Sequence, residues 1–160
     1  MAQALISSDE KSPIIYTSKR SKLVYQTFCT NRNNTLSENL PLFDQYTNIY
    51  SICCVLGFKS GNRTPLESRE SIFTLEQLSE DEWSLLVSIA YVSSNMNNEL
   101  LCKTKEILDI CSEYAETGMN LLMNTRFFKE IYPNGKLNTL QIKSEMYNNI
   151  LQEILALNTL

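Results

Sequence analysis

Residues 42–66, LFDQYTNIYSICCVLGFKSGNRTPL, constrain the fold more than any other stretch of the chain. Phe43, Tyr46, Tyr50, Cys53 and Leu56 recur at steps of three and four, the spacing that lines up one side of an α-helix. Pro41 stands where a first helical turn tolerates proline, because the missing N–H would be unpaired there anyway. Gly57 offers the left-handed conformation that closes many helices. The loop that follows, from Phe58 to Leu66, carries Lys59, Arg63, the turn residues Gly61 and Asn62, and Pro65, with no acid. Such a loop reads either as a grip for an anion or a protein, or as an ordinary connection.

Four glycines and four prolines in 160 residues are too few for a β fold with many tight turns. The expected fold class is therefore all-α, a small bundle of four or five helices. Short extended or β segments are expected near residues 20–28 and 70–73. The length fits one domain with a real core. No run of eighteen apolar residues is present, so no membrane span is expected. The first residues lack the basic-then-apolar layout of a secretory signal, and the expectation is a cytoplasmic protein.

There is no histidine. Its absence removes Ser-His-Asp and Cys-His catalysis, histidine general-base chemistry and histidine-bearing metal sites. The five cysteines, Cys29, Cys53, Cys54, Cys102 and Cys111, show no spacing of a zinc knuckle or redox pair. Cys53 and Cys111 fall on apolar faces and read as small buried thiols. No GxxxxGK[ST] or GxGxxG pattern is present. The reading is a protein that is not an enzyme and carries no cofactor and no metal.

Residues 1–34 hold Lys11, Lys19, Arg20, Lys22 and Arg32 against Asp9 and Glu10, and are expected to form a flexible basic arm. Within it, Leu23 to Phe28 reads as a short strand or as a helical turn docking Val24 and Phe28. Residues 35–160 are expected to form a single helical domain. Net charge is −4, so any nucleic-acid contact would be local, through this arm and the loop. Thr74 with Gln77, and Ser79 with Glu82, have capping-box spacing. Glu80, Asp81 and Glu82 then fall in a first turn, where acids complement the helix dipole. That helix runs through Trp83, Leu86, Val87, Ala90 and Tyr91 and frays near Ser94-Asn95. Residues 96–125 read as helix with a break near Cys102–Thr104, and Asp109 and Glu113 read as its exposed face. Gly118 costs about 1 kcal/mol relative to alanine inside a helix, and its role is read as close helix packing. After Pro133-Asn134-Gly135, a last helix over 138–157 either docks on the domain or meets another subunit.

The candidate binding residues are Lys59, Arg63 and Arg69, with Lys19, Arg20 and Lys22 as a second patch. Gly57, Phe58, Gly61 and Pro65 set the loop geometry. The alternative for Arg63 and Arg69 is pairing with the acidic run at 76–82. The order of pieces resembles a known family. An aromatic helix, Val55-Leu56-Gly57-Phe58-Lys59, a glycine, Arg63 and Pro65-Leu66 come first. An acidic turn, an apolar helix, and Glu113-Tyr114-Ala115 with Gly118 and Leu121-Leu122 follow. Over roughly residues 40–123 this resembles the Dnd system-associated protein 4 family, also called DNA phosphorothioation-associated protein 4. The resemblance implies an accessory component of a bacterial anti-phage or DNA-modification defence system, without a catalytic role. Its partners would be larger nuclease or ATPase subunits of the same operon, with DNA as a further contact. Three rivals stand beside this reading: a stand-alone nucleic-acid-binding regulator, a small enzyme using cysteine or carboxylates, and a self-assembling helical module.

Overall fold

Two glycines set the centre of the molecule. In the computed structural model, which describes residues 12–29, 43–131 and Gln152, helix α2 (Tyr46–Ser60) packs most extensively on α4 (Thr104–Asn124). A Cβ on Gly57 would lie 2.0 Å from the Tyr114 carbonyl oxygen, and one on Gly118 would lie 1.8 Å from that of Cys53. The two backbones therefore touch, which only a residue without a side chain permits. Gly118 serves close packing, as its place in the apolar stripe predicts. Gly57 does not end its helix: α2 continues to Ser60 and is closed by Gly61, at φ 72° with open space around it. One glycine is required for its missing side chain, the other for its backbone conformation. Gln45 caps α2, its N–H donating to Asn48 Oδ1 at 3.1 Å, and Pro41 lies outside the described residues.

The segment 20–28, read as an extended piece or as a helical turn docking Val24 and Phe28, is the second: it forms helix α1 (Lys19–Phe28). Ser18 sits at its N-cap and accepts the Ser21 N–H at 3.2 Å. Val24, Tyr25 and Phe28 then share the buried side, and this burial overrides the β-branched and aromatic composition. The strand lies just before it: β1 (Ile14–Thr17) pairs antiparallel with β2 (Glu70–Thr74), Ile15 opposite Phe73, with a bulge after Ile15. The extended reading of 70–73 holds. Residues 12–29, expected within a flexible arm, are thus strand and helix built into the common core, where Ile15, Tyr25 and Phe28 are buried with Tyr50, Cys53 and Met119. The Tyr50 ring meets Phe73 edge-on at 5.3 Å and its hydroxyl lies 3.2 Å from Ser112 Oγ, tying the sheet to both central helices.

Helix α3 (Glu80–Ser93) starts as its capping box predicts. Ser79 N–H donates to Glu82 Oε2 at 2.8 Å, and Glu82 N–H donates to Ser79 Oγ at 3.2 Å. Thr74 N–H donates to Gln77 Oε1 at 3.2 Å over the short 3-10 turn Leu75–Gln77. Asn95 and Met96 take left-handed backbone after α3, and a second 3-10 turn, Asn98–Cys102, leads into α4. The short α5 (Arg126–Ile131) brings Phe128 within 5.1 Å of Phe28. The described residues therefore form a small helical bundle carrying a two-stranded antiparallel sheet. Among them no helix is long and apolar enough to cross a membrane. The helix expected at 138–157 and the linker at 30–40 lie outside the described residues.

Candidate functional site: a groove beside α1 and an uncharged face on α3

The loop cations are largely committed to α4. Thr64 N–H donates to the Glu113 carbonyl at 3.3 Å, and the Thr64 and Thr117 hydroxyls lie 2.9 Å apart, so the loop runs along the helix. Arg63 Nε is 3.4 Å from Glu113 Oε2, and its guanidinium stands 5.9 Å from the Tyr114 ring centre. Arg69 pairs with Asp109 at 3.1 Å and lies over Tyr16 at 5.7 Å. The partners are thus the acids of α4, not the run at 76–82. Lys22 pairs with Glu70 at 3.2 Å. Such half-exposed pairs contribute about 1 kcal/mol or less each, so they orient the loop more than they stabilise the fold. Lys59 is exposed in the last turn of α2, where a cation complements the helix dipole. Phe58 is half-buried, edge-on to Tyr114 at 5.6 Å.

Lys19 and Arg20 differ. Both are exposed in the first turn of α1 and make no ion pair among the described residues. They stand at the rim of a groove of about 430 Å³ between α1, the loop and α4. Leu23, Pro65 and Ser68 form walls, and Glu116 and Asn120 of α4 complete it.

Glu116 is the residue that sequence reasoning missed. It is 6 % exposed. Ser18 Oγ donates to its Oε1 at 2.7 Å and Ser21 Oγ at 3.0 Å; Thr17 Oγ1 and Ser18 N–H approach Oε2 at 3.4 Å. No cation lies within ion-pair distance among the described residues. A buried carboxylate without a counter-ion needs donors aimed at it, and here the hydroxyls and the positive end of α1 provide them. Its signal in the sequence is an acid inside the run Tyr114–Met119 with no cation three or four residues away. Burial pushes the nearby Tyr25 phenol well above its usual range, with smaller contributions from neighbours that include Glu116. The Tyr25 hydroxyl has no hydrogen-bond partner among the described residues.

The thiols are mostly buried and free. Burial pushes Cys29 up to about 12 and raises Cys53 further. A hydrogen bond with Cys111 and then burial raise Cys54, and Cys111 Sγ donates to the Leu86 carbonyl at 3.3 Å. A raised thiol stays protonated, hence unreactive, until the pH approaches its raised value. Only Cys102 among the five is exposed. Iodoacetamide at pH 8 is therefore expected to label Cys102 rapidly in the native protein and the other four only on unfolding. Mass spectrometry showing early labelling of Cys29 or Cys53 would contradict that picture.

The outer side of α3 forms a second surface. From Trp83 to Asn98 the chain carries no charge. Leu85 and Val92, seven residues apart, fall on one side of the helix, and with Met96 and Leu101 they are exposed, Met96 at 63 %. The serines here bond back to their own helix: Ser88 Oγ to the Ser84 carbonyl at 2.7 Å, Ser93 to Ala90 and Ser94 to Tyr91 at 2.9 Å. Those hydroxyls are bonded internally, and the exposed apolar residues stand among uncharged polar neighbours, Ser84, Asn95 and Asn97. No protein-family model, curated protein or solved structure matches this chain.

Proposed function

We propose that the chain is a cytoplasmic, non-catalytic accessory subunit of a prokaryotic DNA-modification or anti-phage defence complex, holding a larger protein subunit against the outer side of α3. The observation that carries the docking role is that uncharged side, with Leu85, Val92, Met96 and Leu101 exposed. A surface helix ordinarily sets charge opposite its core stripe, and exposed apolar residues sharing an uncharged helix side favour contact with another protein. The assignment to defence systems is supported by the order of motifs over residues 40–123. The occupant is inferred to be a different chain, an apolar surface with cations at one end. Glu76 and Asp81 are exposed near the start of α3 and would face those cations.

The test is co-purification of the tagged protein expressed from its own operon. Val92→Glu is expected to reduce partner recovery by about tenfold or more, since it places a charge in a desolvated contact. Its melting temperature should stay near that of the parent, because Val92 is outside the core. Equal recovery, or a parent protein that only pairs with itself, would sink the proposal. A stand-alone nucleic-acid-binding regulator is the second reading, favoured by the uncommitted Lys19 and Arg20. It requires DNA binding by the isolated protein that weakens steeply with salt.

A further inference from the structure

We infer that the groove beside α1 is a binding site for a nucleoside 5′-phosphate, taken up through Lys19 and Arg20 at its rim and Glu116 in its interior. The two ends of the groove ask for opposite chemistry. Lys19 and Arg20 make no ion pair among the described residues, unlike Lys22, Arg63, Arg69 and Lys103, each of which has a carboxylate partner. Arg20 offers the planar fork that matches a phosphate, and Lys19 adds a point charge. A bare anion would nevertheless face Glu116 and the exposed Glu67 on the same groove. The occupant must therefore carry hydrogen-bond donors at its other end.

Glu116 can accept them. Its Oε1 is well held by Ser18 and Ser21, but Oε2 has only the two contacts at 3.4 Å and keeps acceptor capacity. Asn120 beside it makes no side-chain hydrogen bond among the described residues and can both donate and accept. Leu23 and Pro65 give apolar wall against which a flat base can lie. An amino-bearing nucleobase joined to a phosphate satisfies all of these. Guanine suits this arrangement, since one of its adjacent N1–H and N2–H donors can reach Oε2, Oε1 being held by the Ser18 and Ser21 hydroxyls, and the other is left for the Asn120 side chain. A volume of about 430 Å³ lies within the range of small-ligand sites. The site is separate from the α3 surface, so its failure would leave the docking proposal standing.

Calorimetric titration of the purified full-length chain at low salt tests it, with GMP, guanosine, inorganic phosphate and a short 5′-phosphorylated oligonucleotide as probes. GMP is expected to saturate in the millimolar range or below. Guanosine and phosphate should each bind at least about tenfold more weakly, because each reaches only one end of the groove. The double variant Lys19→Ala/Arg20→Ala should weaken GMP by about tenfold or more with an unchanged circular dichroism spectrum, both residues being exposed. The oligonucleotide binding more tightly than GMP would make a strand end the source of the phosphate, and the reverse would make it a free nucleotide. Phosphate binding as tightly as GMP, a double variant that binds like the parent, or no saturation by any nucleotide overturns the inference.

Discussion

Gly118→Ala is expected to lower the melting temperature by about 10 °C, a loss on the order of 3 kcal/mol for a chain of this size. Two effects act with opposite sign. Helix propensity alone favours alanine over glycine by about 1 kcal/mol, so an isolated α4 would gain from the change. Against this, the new methyl would lie 1.8 Å from the Cys53 carbonyl oxygen, which is backbone and cannot rotate away. Relief requires α2 and α4 to separate, loosening the packing of Tyr50, Cys53, Ala115 and Met119. Overpacking of this kind usually costs about 1–3 kcal/mol, and a backbone-on-backbone clash belongs at the upper end. That is a large share of a total stability of about 5–15 kcal/mol. Gly57→Ala should behave alike, because its methyl would lie 2.0 Å from the Tyr114 carbonyl oxygen. Thermal denaturation followed by circular dichroism decides the matter. If either alanine variant melts at or above the parent, propensity outweighs contact and the glycine-to-backbone seam is not what joins the central helices.

The helices of this protein are legible where local pattern and tertiary packing agree. The capping boxes at Thr74 and Ser79 declare the starts of their turns, and the apolar spacing in α4 matches the side it buries; α2 buries Tyr50, Cys53 and Leu56 as its spacing predicts, but Phe43 precedes the helix, and Ile49 and Cys54 are buried as well. Legibility fails where a distant partner decides. Leu23 to Phe28 has strand-like composition, yet Ser18 caps it as helix and the core takes Val24, Tyr25 and Phe28. Ile14 to Tyr16 looks like a stray apolar patch until β2, more than fifty residues later, supplies its ladder. Read from its glycines alone, the helix ends at Gly57, four residues before the Gly61 that closes it, because a glycine has two uses and only the neighbouring backbone shows which one Gly57 serves. The candidate site divides the same way. Six cations were visible in the sequence, but the partners that commit Arg63, Arg69 and Lys22 follow from the loop's course along α4 and from the sheet. Glu116 was hidden because an acid in a helix is read as solvated unless something reveals that the chain folds over it.

Glu116→Ala is expected to destabilise the fold by about 2–3 kcal/mol and to free the segment it holds. The carboxylate receives hydroxyls from Thr17, Ser18 and Ser21 and approaches the Ser18 N–H, so it joins β1 and α1 to α4 across 95 or more residues of sequence. Removing it leaves three buried hydroxyls without that acceptor, at about 1 kcal/mol or more each. It also removes the negative charge at the positive end of α1. Relief from burying a charge without a counter-ion works the other way and offsets part of the loss. The hydroxyls should win, because Ser21 is fully buried and Thr17 nearly so, away from water, while Ser18 alone lines the groove. Glu116→Gln, which keeps one acceptor oxygen, should lose about half as much. Urea denaturation gives the size of the effect, and limited trypsin digestion gives its place. Cleavage after Lys19, Arg20 and Lys22 should accelerate in Glu116→Ala well before sites in α4 open, because α1 is exposed on one side and would lose its hold on α4. An alanine variant as resistant to trypsin and urea as the parent would mean that β1 and the apolar side of α1 hold the segment unaided, leaving the buried carboxylate without the structural role its four contacts suggest.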